Sequence, residues 1–160
     1  MRASGREPLH VTIRHVLHVT ICHKRSAAGR TVEPTGVCDD GTVTRTVLIV
    51  DDHPSFRASA RAILEADGFT IVGEAQDGAG ALAAIEALHP DLVLLDIQLP
   101  DMSGFDVCAS ISPSNGTAPQ VVLVSSRDAC DFGSLIERSG ARGFVAKAEL
   151  SGDAVAALLR

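Results

Sequence analysis

Four charged side chains follow apolar runs of the sequence, at positions where their chemistry could be combined. Three runs of four mostly apolar residues are followed directly by the acidic pair Asp51-Asp52, by Asp96 and by Lys147. If the runs are parallel strands, the charged groups meet at the carboxyl edge of the sheet, where open α/β folds bind ligands. Three carboxylates crowded there repel one another and favour a hard divalent cation. A lysine beside them can pair with a nucleophilic carboxylate or with an incoming anion, so the set predicts a site that accepts a phosphoryl group.

Five apolar segments predict the strands that position these residues. Three of them are continuous apolar runs, which is typical of parallel strands buried on both faces. The predicted strands are Val47–Val50, Thr70–Val72, Leu92–Leu95, Val121–Val124 and Phe144–Val145.

Helical periodicity separates the strands. The first helix begins at Pro54, which a first helical turn tolerates, and ends before Gly68, while His89-Pro90 stops the second. The residues that mark the five helices are Phe56, Ala60, Ile63 and Leu64; Ala81, Leu82, Ile85 and Leu88; residues 105–111; Leu135 and Ile136, ending at Gly140; and Val155, Leu158 and Leu159. Strands alternating with helices predict an α/β domain with a parallel sheet covered on both faces.

The charge is distributed unevenly along the chain, whose net charge is −6. Residues 1–44 carry six Lys or Arg against four Asp or Glu, and residues 45–160 carry eight against sixteen. The net negative charge of residues 45–160 argues against direct binding of this segment to nucleic acid or to an anionic membrane. Five Phe with no Trp or Tyr offer little surface on which bases could stack.

A cytoplasmic location is the expectation from the remaining composition. No segment approaches the about 18 consecutive apolar residues of a membrane span, and charged or His residues interrupt the N-terminal apolar residues. The four scattered cysteines show no C-x-x-C spacing, which favours reduced thiols. Of these, Cys108 and Cys130 are expected to pack against helices.

Residues 1–44 form a separate N-terminal extension before the domain at 45–160. His10–Ile13 recurs as His18–Ile21, but the His and Cys spacings fit no zinc pattern well, so a metal site there is disfavoured. Two interpretations stay open. The extension is a flexible tail, or translation starts at Val43 and residues 1–42 are an artefact of gene prediction.

Three segments together resemble the receiver domain of bacterial response regulators. They are residues 47–53, with the acidic pair; residues 91–104, with Asp96 and the Leu-Pro-Asp-Met-Ser-Gly sequence after it; and residues 143–147, with Lys147. The resemblance covers about residues 45–160. It implies a flavodoxin-like, doubly wound sheet of five parallel strands in the order 2-1-3-4-5, with five helices on its two faces.

The resemblance also implies roles for the charged residues. Asp96 is the expected nucleophile, which receives a phosphoryl group from a phosphohistidine. Asp52 and Asp96 are expected to bind Mg²⁺ directly, Asp51 mainly through water, and Gln98 through its backbone carbonyl. Lys147 is expected to hold Asp96 or a phosphoryl oxygen as a point charge.

Two further residues occupy positions that the resemblance associates with switching. Ser125, at the end of the fourth strand, is the expected hydroxyl that bonds the phosphoryl group, and Ser126 competes with it. Phe144 occupies the position of the aromatic switch, although plain core packing explains it equally well. The switched surface would consist of the fourth helix, the fifth strand and the fifth helix.

The expected function is that of a single-domain response regulator. A histidine kinase or phosphotransfer protein would phosphorylate it, a downstream protein target that the sequence does not identify would read its state, and it would be no enzyme beyond its own phosphorylation and dephosphorylation. Ala148 follows the lysine where many receivers have Pro, so a cis peptide bond is not expected there.

Three alternatives stay open. The chain is a pseudo-receiver scaffold that binds partners regardless of phosphate, or a DNA-binding response regulator whose output domain lies beyond Arg160. The third is an aspartyl-phosphate phosphohydrolase of the haloacid-dehalogenase type, which Gln98 disfavours because such enzymes place a second Asp two residues after the nucleophile.

Overall fold

The computed structural model describes residues 44–111 and 118–160. Within them, strands and helices alternate along the chain. The strands are β1 Thr46–Val50, β2 Thr70–Ala75, β3 Leu92–Asp96, β4 Gln120–Ser125 and β5 Gly143–Ala146. The helices are α1 Pro54–Ala66, α2 Gly78–Leu88, α3 Gly104–Ser110, α4 Leu135–Arg138 and α5 Gly152–Leu158. There are also two 3₁₀ turns in these ranges: Ala129–Asp131 lies between β4 and α4, and Lys147–Glu149 follows β5.

The five strands form one parallel sheet in the order β2-β1-β3-β4-β5, as predicted. Because side chains alternate across a strand, each strand supplies both faces with apolar residues. Val47 and Ile49 of β1 pack with α1 and α5, and Leu48 and Val50 pack with α2 and α3. The sheet therefore carries a hydrophobic core on each face.

The largest departures from the predicted elements are in β2 and α4. The apolar pattern predicts three residues of β2, but the strand continues to Ala75 through Gly73 and Glu74. Gly73 belongs there because the side chain of Leu88 lies over it, and Glu74 is neutralised by two arginines of α1. The fourth helix has only four residues and is preceded by a 3₁₀ turn.

The structure also tests the predictions for the end of α1 and for the two cysteines in the described ranges. Gly68 adopts φ +88° after α1, which confirms it as the glycine that ends this helix. Cys108 is half-buried on α3, where burial raises the pKa of its thiol to about 11. Cys130 is exposed, so the prediction that it packs against a helix is wrong, because its segment is a short surface turn.

Other predictions concern the ends and connections of the chain. No peptide bond in the described ranges is cis, in agreement with Ala148 after the lysine. None of the helices in those ranges is long and apolar enough to cross a bilayer. The predictions for residues 1–43 and for the polar stretch 112–117 lie outside the described residues.

The loop between β3 and α3 is fastened to the start of α2. The first three N–H groups of a helix have no partner within it, and here carboxylates accept all three. Asp101 accepts from Gly78 and Ala79 at 2.7 and 2.9 Å, and Asp77 accepts from Gly80 at 2.6 Å. Met102 covers Gly78 so closely that a Cβ there would overlap its side chain.

Gly104 fixes the other end of the same loop. Its N–H donates to the carbonyl of Ile97 at 2.9 Å, and its Cα faces the backbone of Asp96. A Cβ at Gly104 would overlap the carbonyl oxygen of Asp96 and lie 2.9 Å from the Cα of Ile97. Only glycine allows α3 to begin this close to the end of β3.

We expect Gly104→Ala to destabilise the domain by about 1–3 kcal/mol, because the clash is with backbone that cannot rotate away. Urea unfolding measures the change. Without the clash, alanine would stabilise a helix by up to about 1 kcal/mol relative to glycine. A more stable variant would therefore contradict the described packing.

We expect Asp101→Asn to cost about 1 kcal/mol at pH 7, since one carboxylate oxygen is replaced by a donor that faces an N–H group. Burial raises the pKa of Asp101, but the bonds from backbone N–H groups, those of Gly78 and Ala79 first among them, together prevail and lower it. The stabilisation is therefore fully present above the unfolded-state pKa of about 3.9 and is lost as the pH falls through the lower folded-state pKa. Urea unfolding from pH 7 to pH 3.5 checks this; equal stabilities of the two proteins at pH 7 would refute the capping role.

Candidate functional site

The carboxyl ends of β1 and β3 bring the predicted acidic residues together. β1 and β3 are neighbours with Val50 opposite Leu95, so Asp51 and Asp96 end adjacent strands. Ligand atoms of these two residues, Asp52 and His53 lie within 4.8 Å of one another. Asp51 and Asp96 are buried and Asp52 is exposed, so the group opens to solvent on one side.

Lys147 reaches this group from the end of β5. Its Nζ lies 2.6 Å from Oδ2 of Asp51 and donates to Oδ2 of Asp96 at 2.7 Å. β4 separates β5 from β3, so the side chain must extend past the end of β4. The long lysine stem makes this reach possible and leaves only 12% of the side chain exposed.

The buried cluster of Asp51, Asp96 and Lys147 has one more negative than positive charge. Burial raises the pKa of Asp96, and the charge of Asp51 raises it further, although bonds from Lys147 and the N–H of Gln98 oppose this. Burial lowers the pKa of Lys147, but its close contacts with the carboxylates of Asp51 and Asp96 prevail, so its pKa is raised overall. The two shifts therefore have different main causes, which are burial for Asp96 and the neighbouring carboxylates for Lys147.

The carboxylate oxygens fit a hard cation. Asp51 Oδ1 accepts from the N–H of His53 at 2.8 Å, whereas its buried Oδ2 accepts no well-directed hydrogen bond from the described residues. The contact of Oδ2 with Lys147 is an ion pair without hydrogen-bond direction. An under-used buried oxygen, two further carboxylates and excess negative charge are the donor set that Mg²⁺ prefers. Gln98 is exposed beside them, and its N–H donates to Asp96 Oδ1 at 3.1 Å.

Ser125 ends β4, next to the strand that carries Asp96. It is fully buried, and its hydroxyl accepts from the N–H of Arg127 at 3.1 Å, whereas Ser126 is exposed. The structure thus shows Ser125 closing a turn at the strand end. The proposed contact with a phosphoryl group would require this bond to be exchanged.

Phe144 is half-buried in the core on the α2 and α3 side of the sheet. Its ring centroid lies 5.9 Å from that of Phe132, which in turn lies 6.0 Å from Phe105. The guanidinium of Arg127 lies 5.8 Å from the centre of the Phe132 ring. The structure therefore shows Phe144 packed in an aromatic cluster, and its movement stays a prediction.

Sequence reasoning missed three residues that contact the site. His53 Nδ1 contacts Oδ1 of Asp52, and its position directly after the acidic pair was a signal that could have identified it. Arg57 donates to the backbone carbonyl of Asp51 at 2.7 Å. The Phe56 ring lies 4.7 Å from Lys147 Nζ; its helical spacing indicated only a core position.

Comparison with known proteins assigns the domain. A family model described as the response regulator receiver domain matches residues 47–159. The DNA-binding response regulator MtrA of Mycolicibacterium smegmatis is 40% identical over 108 residues, which are 66% of this chain and 45% of that protein. The nitrate/nitrite response regulator protein NarP of Escherichia coli is 39% identical over 102 residues, which are 63% of this chain and 47% of NarP. The chain thus spans less than half the length of these two relatives.

Solved structures agree with the sequence relatives. The signal receiver domain of NarL from Mycobacterium tuberculosis superimposes with a TM-score of 0.63 at 33% identity, over 72% of this chain and 97% of that one. A CheY-like receiver domain from Methanospirillum hungatei gives a TM-score of 0.60 at 25% identity, over 72% and 90%. The strand order, the acidic cluster and the matched residues together show that the chain belongs to the response regulator receiver domain family of two-component systems.

Proposed function

We propose that this receiver accepts a phosphoryl group on Asp96 and signals through a change in its protein contacts. The observation that carries the proposal is the buried Asp51, Asp96 and Lys147 cluster with its excess negative charge. A buried carboxylate held by one lysine, beside carboxylates that fit a cation, is suited to positioning and neutralising an incoming phosphoryl group.

The phosphoryl donor would be a phosphohistidine of a histidine kinase or phosphotransfer protein. A carboxylate oxygen of Asp96 forms a bond to phosphorus while the bond from phosphorus to the imidazole nitrogen breaks. The electron pair of the broken bond stays on the imidazole, which takes up a proton from solvent. Lys147 stays at Asp96 during this exchange and offers its charge to a phosphoryl oxygen.

The transfer needs more positive charge than Lys147 supplies. When bound, Mg²⁺ would be held by Asp52 and Asp96 directly, by Asp51 through water and by the backbone carbonyl of Gln98, and would neutralise phosphoryl oxygens. Asp51 and Asp96 are kept in place by the strand ends and by the N–H groups of His53 and Gln98.

Phosphorylation would act on the protein through Ser125 and Phe144. The Ser125 hydroxyl would leave the N–H of Arg127 and donate to the phosphoryl group, and Phe144 would reorient within its aromatic cluster. The surface affected is formed by α4, β5 and α5, and its partner would be a downstream protein. On this proposal the chain turns over no substrate besides its own phosphoryl group.

We expect incubation with acetyl phosphate and Mg²⁺ to add a single phosphoryl group, detected by intact mass. Acetyl phosphate replaces the kinase here, and acetate leaves with the electron pair. Asp96→Asn should abolish the adduct, and omission of Mg²⁺ should reduce it strongly. Asp153→Asn, which alters an exposed carboxylate of α5, is the matched control and should be phosphorylated normally.

Two outcomes would overturn this proposal. An adduct that persists in folded Asp96→Asn would place the acceptor elsewhere. No adduct in folded wild-type protein would favour a scaffold that binds partners regardless of phosphate.

We expect Lys147→Met to lower the free energy of unfolding by about 3–5 kcal/mol without Mg²⁺, because two buried carboxylates lose the ammonium group that pairs with both. Urea unfolding at pH 7 measures this change. The deficit should shrink on acidification, because Asp96, whose pKa burial already raises, can then become neutral. A variant as stable as the wild type at pH 7 would contradict the described ion pairs.

A further inference from the structure

The third side of the Lys147 ammonium is covered by an aromatic ring. An ammonium group has three N–H donors. Asp51 and Asp96 lie at 2.6 and 2.7 Å, and the ring centre of Phe56 lies 4.7 Å from Nζ. With 12% of the Lys147 side chain exposed, little room is left for water to hydrate the remaining donor.

The position of Phe56 in the fold holds its ring next to the Lys147 ammonium. It lies in the first turn of α1, half-buried, and packs against the core between α1, α5 and the sheet. The neighbouring Arg57 binds the carbonyl of Asp51 and the carboxylate of Glu74, which ties this turn to β1 and β2. The ring therefore belongs to a rigid part of the structure rather than to a mobile loop.

We propose that Phe56 is a positioning residue, which holds the Lys147 ammonium at Asp96 through a cation–π contact. The inference rests on the proposed phosphorylation of Asp96. The negative face of the ring attracts the ammonium and is hydrated less than a polar group would be. The contact does not depend on Asp51, so it would remain if a bound divalent cation weakened the pairing of Asp51 with the lysine. Phe56 then keeps the charge of Lys147 available to the phosphoryl oxygens.

The test compares Phe56→Leu, which keeps an apolar side chain, with Phe56→Tyr, which keeps the ring face. Phosphorylation of Asp96 by acetyl phosphate is followed by intact mass at several donor concentrations. We expect Phe56→Leu to lower the maximal rate by between about two-fold and thirty-fold, the range of cation–π contacts. Phe56→Tyr should restore most of the rate, and the donor concentration for half-maximal rate should change little.

Phe69→Leu is the matched control. Phe69 is also half-buried against the same core cluster, and it contacts no cation among the described residues. Its replacement should lower stability without changing the rate. Equal rates for Phe56→Leu and the wild type, or equal losses for Phe56→Leu and Phe56→Tyr, would refute the positioning role.

Two readouts work without phosphorylation. The Lys147 side-chain proton signals should show a ring-current shift in wild type and Phe56→Tyr that is lost in Phe56→Leu. In a double-mutant cycle, Phe56→Leu should cost less stability in the Lys147→Met background than in the wild type. An absent shift with additive costs would refute the contact, whereas failure of the wild type to be phosphorylated would refute only the proposed function.

Discussion

The excess negative charge buried at the carboxyl edge of the sheet is the constraint on which the site depends. Two carboxylates and one ammonium lie within hydrogen-bonding distance, nearly without solvent. Burial of an unbalanced charge is costly, and a protein tolerates it where function requires it. The three residues come from positions 51, 96 and 147 and can meet only if β1, β3 and β5 run in the same direction. The parallel sheet is therefore what makes the cluster possible.

The loop after Asp96 fixes the position of the Asp96 backbone within this cluster. Asp101 binds the first turn of α2, Met102 covers Gly78, and Gly104 lies against the backbone of Asp96. These contacts hold the backbone of Asp96 and of the loop after it. Asp101, Met102 and Gly104 of the Leu-Pro-Asp-Met-Ser-Gly sequence are thus explained by capping and packing.

The sheet and the positions of the charged residues were predictable because both depend on the local pattern of apolar and charged residues in the sequence. Apolar runs mark buried strands, and a charged residue directly after such a run must lie at the sheet edge. The continuation of β2 through Glu74 was not predictable, because it depends on two arginines of α1 that neutralise this residue. The same holds for Phe56, whose spacing indicates a core position, whereas its contact with Lys147 arises only when α1 and β5 are placed together. The resemblance to receivers pointed to Ser125 and Phe144, but their packing in this conformation required the structure.

A Mg²⁺ titration, with thermal unfolding of wild type and Asp51→Asn followed in parallel, tests most directly whether the buried charge forms a cation site. A ligand that binds only the folded state stabilises that state by RT ln(1 + [L]/Kd), where [L] is the free ligand concentration and Kd is its dissociation constant. We expect Mg²⁺ to raise the Tm of the wild type with saturation, and Asp51→Asn, which removes the excess charge, to lose most of this rise. We also expect Asp51→Asn to be at least as stable as the wild type without Mg²⁺. A wild-type Tm independent of Mg²⁺, or an equal rise in both proteins, would contradict the claim that the buried charge forms the cation site.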